Sequence, residues 1–241
     1  MGTDFLSLPW FWLIAGYILG SIPFGLIVTA LVGKGDVRKV GSGNIGTTNV
    51  LRAGGKGAAA ATLILDAGKG ALAVWLGGRY AMGGDILGGI GAFVGHCFPI
   101  FLMFRGGKGV ATYLGIALAL QPLAGLAFAV VWILTAALFR YSSLAGLAAS
   151  IAAPLVPLAM GRWDAALLLA GMAAMVIAKH EDNIGRLMRG EESRLGRKPA
   201  DSPAHRSGDD DEDEWDRPGA DSDDLRPADR AGEYGGPRLR G

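Results

Sequence analysis

Seven apolar stretches, each closed off by a short polar run, fill residues 1–198 and leave this chain one environment in which to fold. They cover 9–32, 57–79, 84–104, 109–120, 122–139, 143–160 and 164–178. A helix crosses the hydrocarbon core of a bilayer with about 20 apolar residues. The pattern predicts an all-α integral membrane protein with about seven transmembrane helices. The fourth stretch is short. Gln121-Pro122 separates it from the fifth, because proline offers no backbone N–H and crowds the preceding turn. Runs such as GGDILGGIGAFVG and LAGLAASIAA are rich in Gly and Ala, which let helices approach closely in lipid. The N-terminus lacks the basic region of a cleavable signal peptide, so the first stretch is expected to stay as a span. Leu6 stands where a myristoylation motif wants Ser or Thr.

Basic residues orient the spans. With the N-terminus outside, the inner loops hold Lys34, Arg38, Lys39, Arg52, Lys56, Arg105, Lys108, Arg140, Lys179, Arg186, Arg189, Arg194, Arg197 and Lys198. The outer loops hold Arg79 and Arg162. Seven spans, N-out and C-in, satisfy the rule. Joining the fourth and fifth stretches would leave one large basic segment on the wrong side. Residues 199–241 differ from the rest. They are rich in Asp, Pro, Arg and Gly, and too poor in apolar side chains to offset chain entropy. A disordered acidic cytoplasmic tail is expected there, following a transmembrane domain over 1–198.

Three polar segments carry the chemistry. The first, GDVRKVGSGNIGTTNVLRAGGKG at 35–57, reads as a loop. Its glycines let backbone N–H groups crowd around an oxyanion. Ser42, Asn44, Thr47, Thr48 and Asn49 add neutral donors, and Arg52 and Lys56 add charge. Gly41 to Gly46 formally match GxGxxG, with Asp66 twenty residues on. That fingerprint needs a preceding buried strand and a βαβ unit, and a charged segment stands there instead. The second segment, FRGGKGVAT at 104–112, places Gly106, Gly107, Lys108 and Gly109 before a helix start, a ready anion site. It is not a Walker A loop, since Gly109 follows Lys108 where Ser or Thr would hold magnesium. The third, KHEDNIGRLMRGEESRLG at 179–196, sets His180 and Asn183 on one helical face with Arg186 and Arg189 on or near it. His180 suits a base or a donor to phosphate.

Asp66 and Lys69 are ionisable at membrane depth, spaced to pair. His96 reads as a packing histidine and Cys97 as a small buried filler. One cysteine allows no internal disulfide and no thiolate metal site. No metal-ligand spacing and no Ser/His/Asp arrangement appears, and no cofactor is expected. A histidine followed five residues later by aspartate, as in acyl-CoA acyltransferases, is missing. So are the spaced aspartates of alcohol phosphatidyltransferases. No internal repeat is visible, which counts against a transporter. The residues suit binding oxyanions by hydrogen bonds and fixed charge.

GSIPFGLIV at 20–28, GSGNIGTTNVLRAGGK at 41–56, LDAGKG at 65–70, GHCFPIFLMFRGGKGVAT at 95–112 and HEDNIGRLMRGEE at 180–192 resemble the bacterial membrane acyl-phosphate:glycerol-3-phosphate acyltransferases, the PlsY family. The resemblance runs in order over about 9–195 and departs from the usual pattern at Cys97 and Met103. It implies seven helices, N-out and C-in, in the bacterial inner membrane with the active site facing the cytoplasm. It implies acyl transfer from acyl phosphate to the sn-1 hydroxyl of glycerol 3-phosphate, giving lysophosphatidic acid and inorganic phosphate, the first step of phospholipid synthesis. By the same resemblance Ser42, Arg52, His180 and Asn183 are catalytic. Asn44, Thr47, Gly106, Gly107, Lys108, Gly109 and Ser143 bind substrate phosphate, and Asp66, Lys69 and Glu192 are structural near the site. Membrane lipid is an expected partner, and the soluble enzyme that makes acyl phosphate is a candidate one; nucleic acid is not.

Overall fold

A computed structural model describes residues 4–196; the predicted acidic tail lies outside them. Among the described residues there is no strand. The α-helices are α1 (Pro9–Gly20), α2 (Phe24–Leu31), α3 (Thr47–Tyr80), α4 (Gly84–Cys97), α5 (Val110–Leu120), α6 (Pro122–Phe139), α7 (Ser142–Ala152), α8 (Leu155–Ala159), α9 (Trp163–Lys179) and α10 (Glu181–Met188). Each predicted apolar stretch is helical over most of its length, but 9–32 is broken at 21–23, 84–104 at 98–99 and 143–160 at 153–154. Among the described residues, five segments are long and apolar enough to cross a membrane: Pro9–Leu31, Thr47–Tyr80, Gly84–Leu102, Pro122–Phe139 and Ser142–Ala159. A sixth appears if α9 and α10, bent by 61°, count as one. The remaining stretch, α5, has 11 residues. At 1.5 Å per residue it rises only about 16 Å, roughly half the hydrocarbon thickness.

Local sequence explains the breaks. Pro23 ends the ladder between α1 and α2, because it has no N–H to donate. Gln121 is extended and Pro122 opens α6, so the Gln121-Pro122 boundary falls where the sequence put it. Within α3 the chain turns at Gly55, whose φ of 83° suits glycine. This changes the reading of 35–57. Its second half is helical from Thr47, and only the part before it is a loop.

Small residues set the packing. Gly16 and Gly20 of α1 lie against the backbone of Gly88 and Ala92 in α4, where a methyl group would collide with a carbonyl. Gly77 meets Gly84, and Gly115 meets Ala67, in the same way. In lipid no hydrophobic force pulls helices together, so close van der Waals contact holds them. The core is centred on Phe93, Tyr113, Phe128 and Leu169. Tyr113 stacks on Phe128 at 5.0 Å between ring centroids. Its hydroxyl donates to the carbonyl of Leu169 at 2.9 Å, which satisfies the one polar atom of a fully buried ring. Leu138, Leu167 and Ile64 face outward, as side chains in contact with acyl chains do.

Candidate active site

The first polar segment is organised by Asn49. Its buried amide nitrogen lies 2.8 to 2.9 Å from the carbonyls of Val37, Val40 and Asn44. Its carbonyl oxygen accepts the Ser42 N–H at 3.1 Å. Asn49 therefore moulds the loop and is spent on it. The expectation that it offers a donor to a ligand is corrected, because a buried amide with these partners has no hydrogen left over. Asn44 plays a smaller part of the same kind, accepting the Gly46 N–H at 2.8 Å. The Thr47 hydroxyl is buried and unpartnered. Ser42 is exposed, and its hydroxyl is open to a ligand. Gly41 has φ of 55°, and a side chain there would run into Asn49 and Arg52. The loop thus lies directly against the Arg52 guanidinium. Lys56 lies beyond the kink and is exposed.

The second and third segments meet over Asn183. Lys108 donates from Nζ to Asn183 Oδ1. Asn183 Nδ2 donates to Glu192 Oε1 at 2.6 Å, and Arg186 Nε donates to Glu192 Oε2 at 2.8 Å. Arg52 reaches the same place from α3, its Nη2 donating to Ser193 Oγ at 2.6 Å. Three cations, Arg52, Lys108 and Arg186, thus gather about one carboxylate, and the cluster holds excess positive charge. Burial pushes the Glu192 carboxyl up. The nearby Ser143 hydroxyl, Asn183 and Arg186 outweigh it and hold the group below its usual range. Ser143 itself is buried, with no hydrogen bond of good geometry to any neighbour. Burial pushes the Lys108 ammonium below the ordinary lysine range, and the Arg186 cation adds to the push. Arg189 stands outside this cluster in an exposed pair with Glu191.

His180 caps α9 and is buried. Its Nδ1 lies 2.8 Å from the carbonyl of Val176, so Nδ1 carries the proton and Nε2 is a lone-pair acceptor. Burial lowers its pKa to about 4, and Lys108 works in the same direction. The ring is neutral at physiological pH. Of its two predicted roles, accepting a hydrogen bond fits and donating to phosphate does not.

The glycine loop is tightly placed. Gly107 donates its N–H to the carbonyl of His96 at 3.1 Å, so that group is committed to the fold. Gly109, with φ of 83°, has no room for a side chain beside Phe93. The first turn of α5 follows, with the free N–H groups every helix start presents.

Deeper in the bundle, Lys69 Nζ pairs with Asp66 Oδ1 at 2.7 Å and donates to the carbonyl of Ile22 at 2.8 Å. The ion pair is as predicted. Unforeseen is the buried His96, whose Nδ1 lies 3.6 Å from the same carboxylate oxygen. Cys97 is free and buried, as expected.

Also unforeseen is the stretch after α10, which straps the site. Leu195 donates its N–H to the Arg140 carbonyl at 2.7 Å, and Arg140 Nη2 returns a bond to the Leu195 carbonyl at 3.0 Å. Arg194 lies over the Tyr141 ring.

Fold and site together define a polytopic membrane protein with a cationic, hydrogen-bonding pocket at one end of its helices. A family model described as glycerol-3-phosphate acyltransferase matches residues 10–190. Proteins named glycerol-3-phosphate acyltransferase from Brucella anthropi and Mesorhizobium japonicum are 55% and 53% identical over 186 residues. Each alignment covers 77% of this chain, with 92% and 95% of the respective relatives. The crystal structure of PlsY (YgiH), an integral membrane glycerol 3-phosphate acyltransferase, in its glycerol 3-phosphate form superposes with a TM-score of 0.74 at 37% identity. It covers 78% of this chain and 96% of that one. The lysophosphatidic acid form gives 0.73 at 36%. The chain belongs to the glycerol-3-phosphate acyltransferase family and is a multi-pass membrane acyltransferase.

Proposed function

We propose that the chain transfers a fatty acyl group from acyl phosphate to the sn-1 hydroxyl of glycerol 3-phosphate, yielding lysophosphatidic acid and inorganic phosphate as the first step of phospholipid synthesis. The observation that carries this reading is the gathering of Arg52, Lys108 and Arg186, through Ser193, Asn183 and Glu192, beside a neutral histidine. Both substrates bear phosphate, and an excess of cations suits two such groups. Solved relatives described as a glycerol 3-phosphate form and a lysophosphatidic acid form fit a substrate and a product of this reaction.

An acyl phosphate is already activated, so no covalent enzyme intermediate is required. The sn-1 oxygen forms a bond to the acyl carbon while the bond from that carbon to the phosphate oxygen breaks. Holding the two substrates in line supplies as much as roughly 7–11 kcal/mol of the barrier. Arg52, with its planar fork, and the Ser42 hydroxyl hold the acyl phosphate and meet charge developing on the carbonyl and leaving group. Lys108, steadied by Asn183, binds the phosphate of glycerol 3-phosphate with the first turn of α5. Asn44, Thr47 and Ser143 line or shape the phosphate sites, and Glu192 holds Asn183 and Arg186. His180 Nε2 accepts a hydrogen bond from a glycerol hydroxyl and orients it. A base whose pKa is about 4 is a poor final holder of the proton. The departing phosphate takes the proton and leaves as inorganic phosphate.

The acyl chain enters sideways from the lipid. The excess of basic residues in alternate loops supports a site on the cytoplasmic face of the bacterial inner membrane, N-out and C-in, with 1–198 as the catalytic domain and 199–241 as an acidic cytoplasmic tail. A soluble enzyme that makes acyl phosphate would deliver the donor there. The test is purified protein supplied with acyl phosphate and glycerol 3-phosphate. Phosphate release that requires both, with lysophosphatidic acid as co-product, is expected; release without glycerol 3-phosphate, or none, contradicts the reaction.

A further inference from the structure

His96 is a buried ionisable side chain that the reaction does not employ. It ends α4 at the bend that leads into the glycine loop and is buried. On one side its Nδ1 faces Asp66 Oδ1 at 3.6 Å. On the other, its Nε2 edge lies so close to the Gly107 α-carbon that a single methyl group there would overlap the ring. Its carbonyl accepts the Gly107 N–H at 3.1 Å and also closes off the space beside Gly106. The loop that carries Lys108 is thus moulded on this one residue.

A histidine in the interior of a membrane protein is costly unless something uses it. Here the nearest charged neighbour is Asp66, itself paired with the Lys69 ammonium at 2.7 Å. Lys69 in turn is tied to the Ile22 carbonyl at the break before Pro23. The connection therefore runs from the α1–α2 break through α3 and α4 to the loop. A buried ring packed between that carboxylate and the loop has little room to turn, so its Nε2 edge keeps one direction. That edge is what Gly107 rests on.

We propose that His96 is a positioning residue for glycerol 3-phosphate binding: wedged between Asp66 and Gly107, its imidazole sets the height of the Gly106–Gly109 loop and thereby of Lys108. The proposal rests on the reading of that loop as the glycerol 3-phosphate site. It makes Gly107 a steric requirement of His96, and it makes the two residues energetically coupled.

The experiment is a double-mutant cycle on the full chain in detergent or nanodiscs, read by KM for each substrate, by kcat and by equilibrium binding of glycerol 3-phosphate. His96→Ala and Gly107→Ala should each raise KM and Kd for glycerol 3-phosphate by about tenfold, with kcat and the acyl phosphate KM changed less than about threefold. In the double variant the added methyl group occupies the space the imidazole vacated. Gly107→Ala should then cost less than about threefold. His96→Asn, which keeps an amide for Asp66 but withdraws the edge that meets Gly107, should raise KM as His96→Ala does. It serves as the readout if His96→Ala does not fold. Effects that multiply in the double variant, or a His96→Asn enzyme with an unchanged KM, would overturn the proposal. Parent protein that binds no glycerol 3-phosphate would instead overturn the assignment of the loop, and this inference with it.

Discussion

Two clusters of charge sit within this molecule, and they are built to opposite rules. In the bundle interior, Asp66, Lys69 and His96 are all buried and compensate one another, and Lys69 spends a further bond on a backbone carbonyl. At the end of the helices, Arg52, Lys108 and Arg186 outnumber the single carboxylate of Glu192, and the Ser42 hydroxyl is left open. Balanced charge in a low-dielectric interior fixes geometry, and removing one member leaves the other exposed to the full cost of burial. Unbalanced charge near water waits for a counter-ion. The first arrangement is scaffold and the second is site, and substitutions should separate them.

The sharpest separation is expected between Arg52 and Lys69. Arg52→Ala should lower kcat/KM by about a thousandfold or more, since it removes a donor aimed at developing charge. Its Tm should stay at or above that of the parent, because it relieves repulsion among cations. Lys69→Ala should do the reverse. It orphans Asp66 and should cost about 3–5 kcal/mol of stability. Activity per folded molecule should fall far less than in Arg52→Ala. Thermal unfolding in detergent beside the two-substrate assay checks both. An Arg52 variant that is active, or a Lys69 variant that is as stable as the parent, breaks the distinction.

A finer test lies within the open cluster. Lys108→Ala should raise the glycerol 3-phosphate KM by about 10- to 100-fold, the loss of one charge-assisted contact. The acyl phosphate KM should move little. Ser193→Ala removes the hydroxyl that holds Arg52 at 2.6 Å. It should loosen the guanidinium and cost only about two- to fivefold in kcat/KM, as for one neutral partner. Equal effects on both substrates from Lys108→Ala would mean the phosphate sites are not divided as proposed.

His180 supplies a pH test. Its pKa falls from 6.5 to about 4 in the folded protein. Between those values the unfolded chain binds more protons than the folded one, so its contribution to stability rises with pH through that window. The contribution is complete above pH 6.5 and is lost as pH falls toward 4. The rate profile should therefore show no inflection near 6.5 attributable to this ring, and His180→Asn should leave the profile's shape between pH 6 and 8 unchanged while lowering its height.

What the sequence revealed follows from range. Apolar runs, Gln121-Pro122 and the balance of basic loops are local signals, and helix existence and the break between α5 and α6 were legible from them, whereas the break before Pro23 inside 9–32 was passed over. Asn49 misled because a polar loop residue reads as a ligand until its partners, Val37, Val40 and Asn44, are seen to surround it. Thr47 to Gly54 read as loop because glycine and threonine are weak helix formers, yet they continue α3 as far as the kink at Gly55. His96 and Ser193 were missed for a different reason. Their roles depend on contacts with Asp66 and Arg52, 30 and 141 positions away, which no periodicity encodes.

The site requires that three segments distant along the chain meet on one side of the bilayer. Single cysteines at Ser42, Lys108 and the exposed Asp182 can be probed with a membrane-impermeant thiol reagent in sealed vesicles of known orientation; the native Cys97 is buried and should stay silent. All three positions should react only from the cytoplasmic side. Labelling of any one of them from the opposite face would contradict a shared pocket.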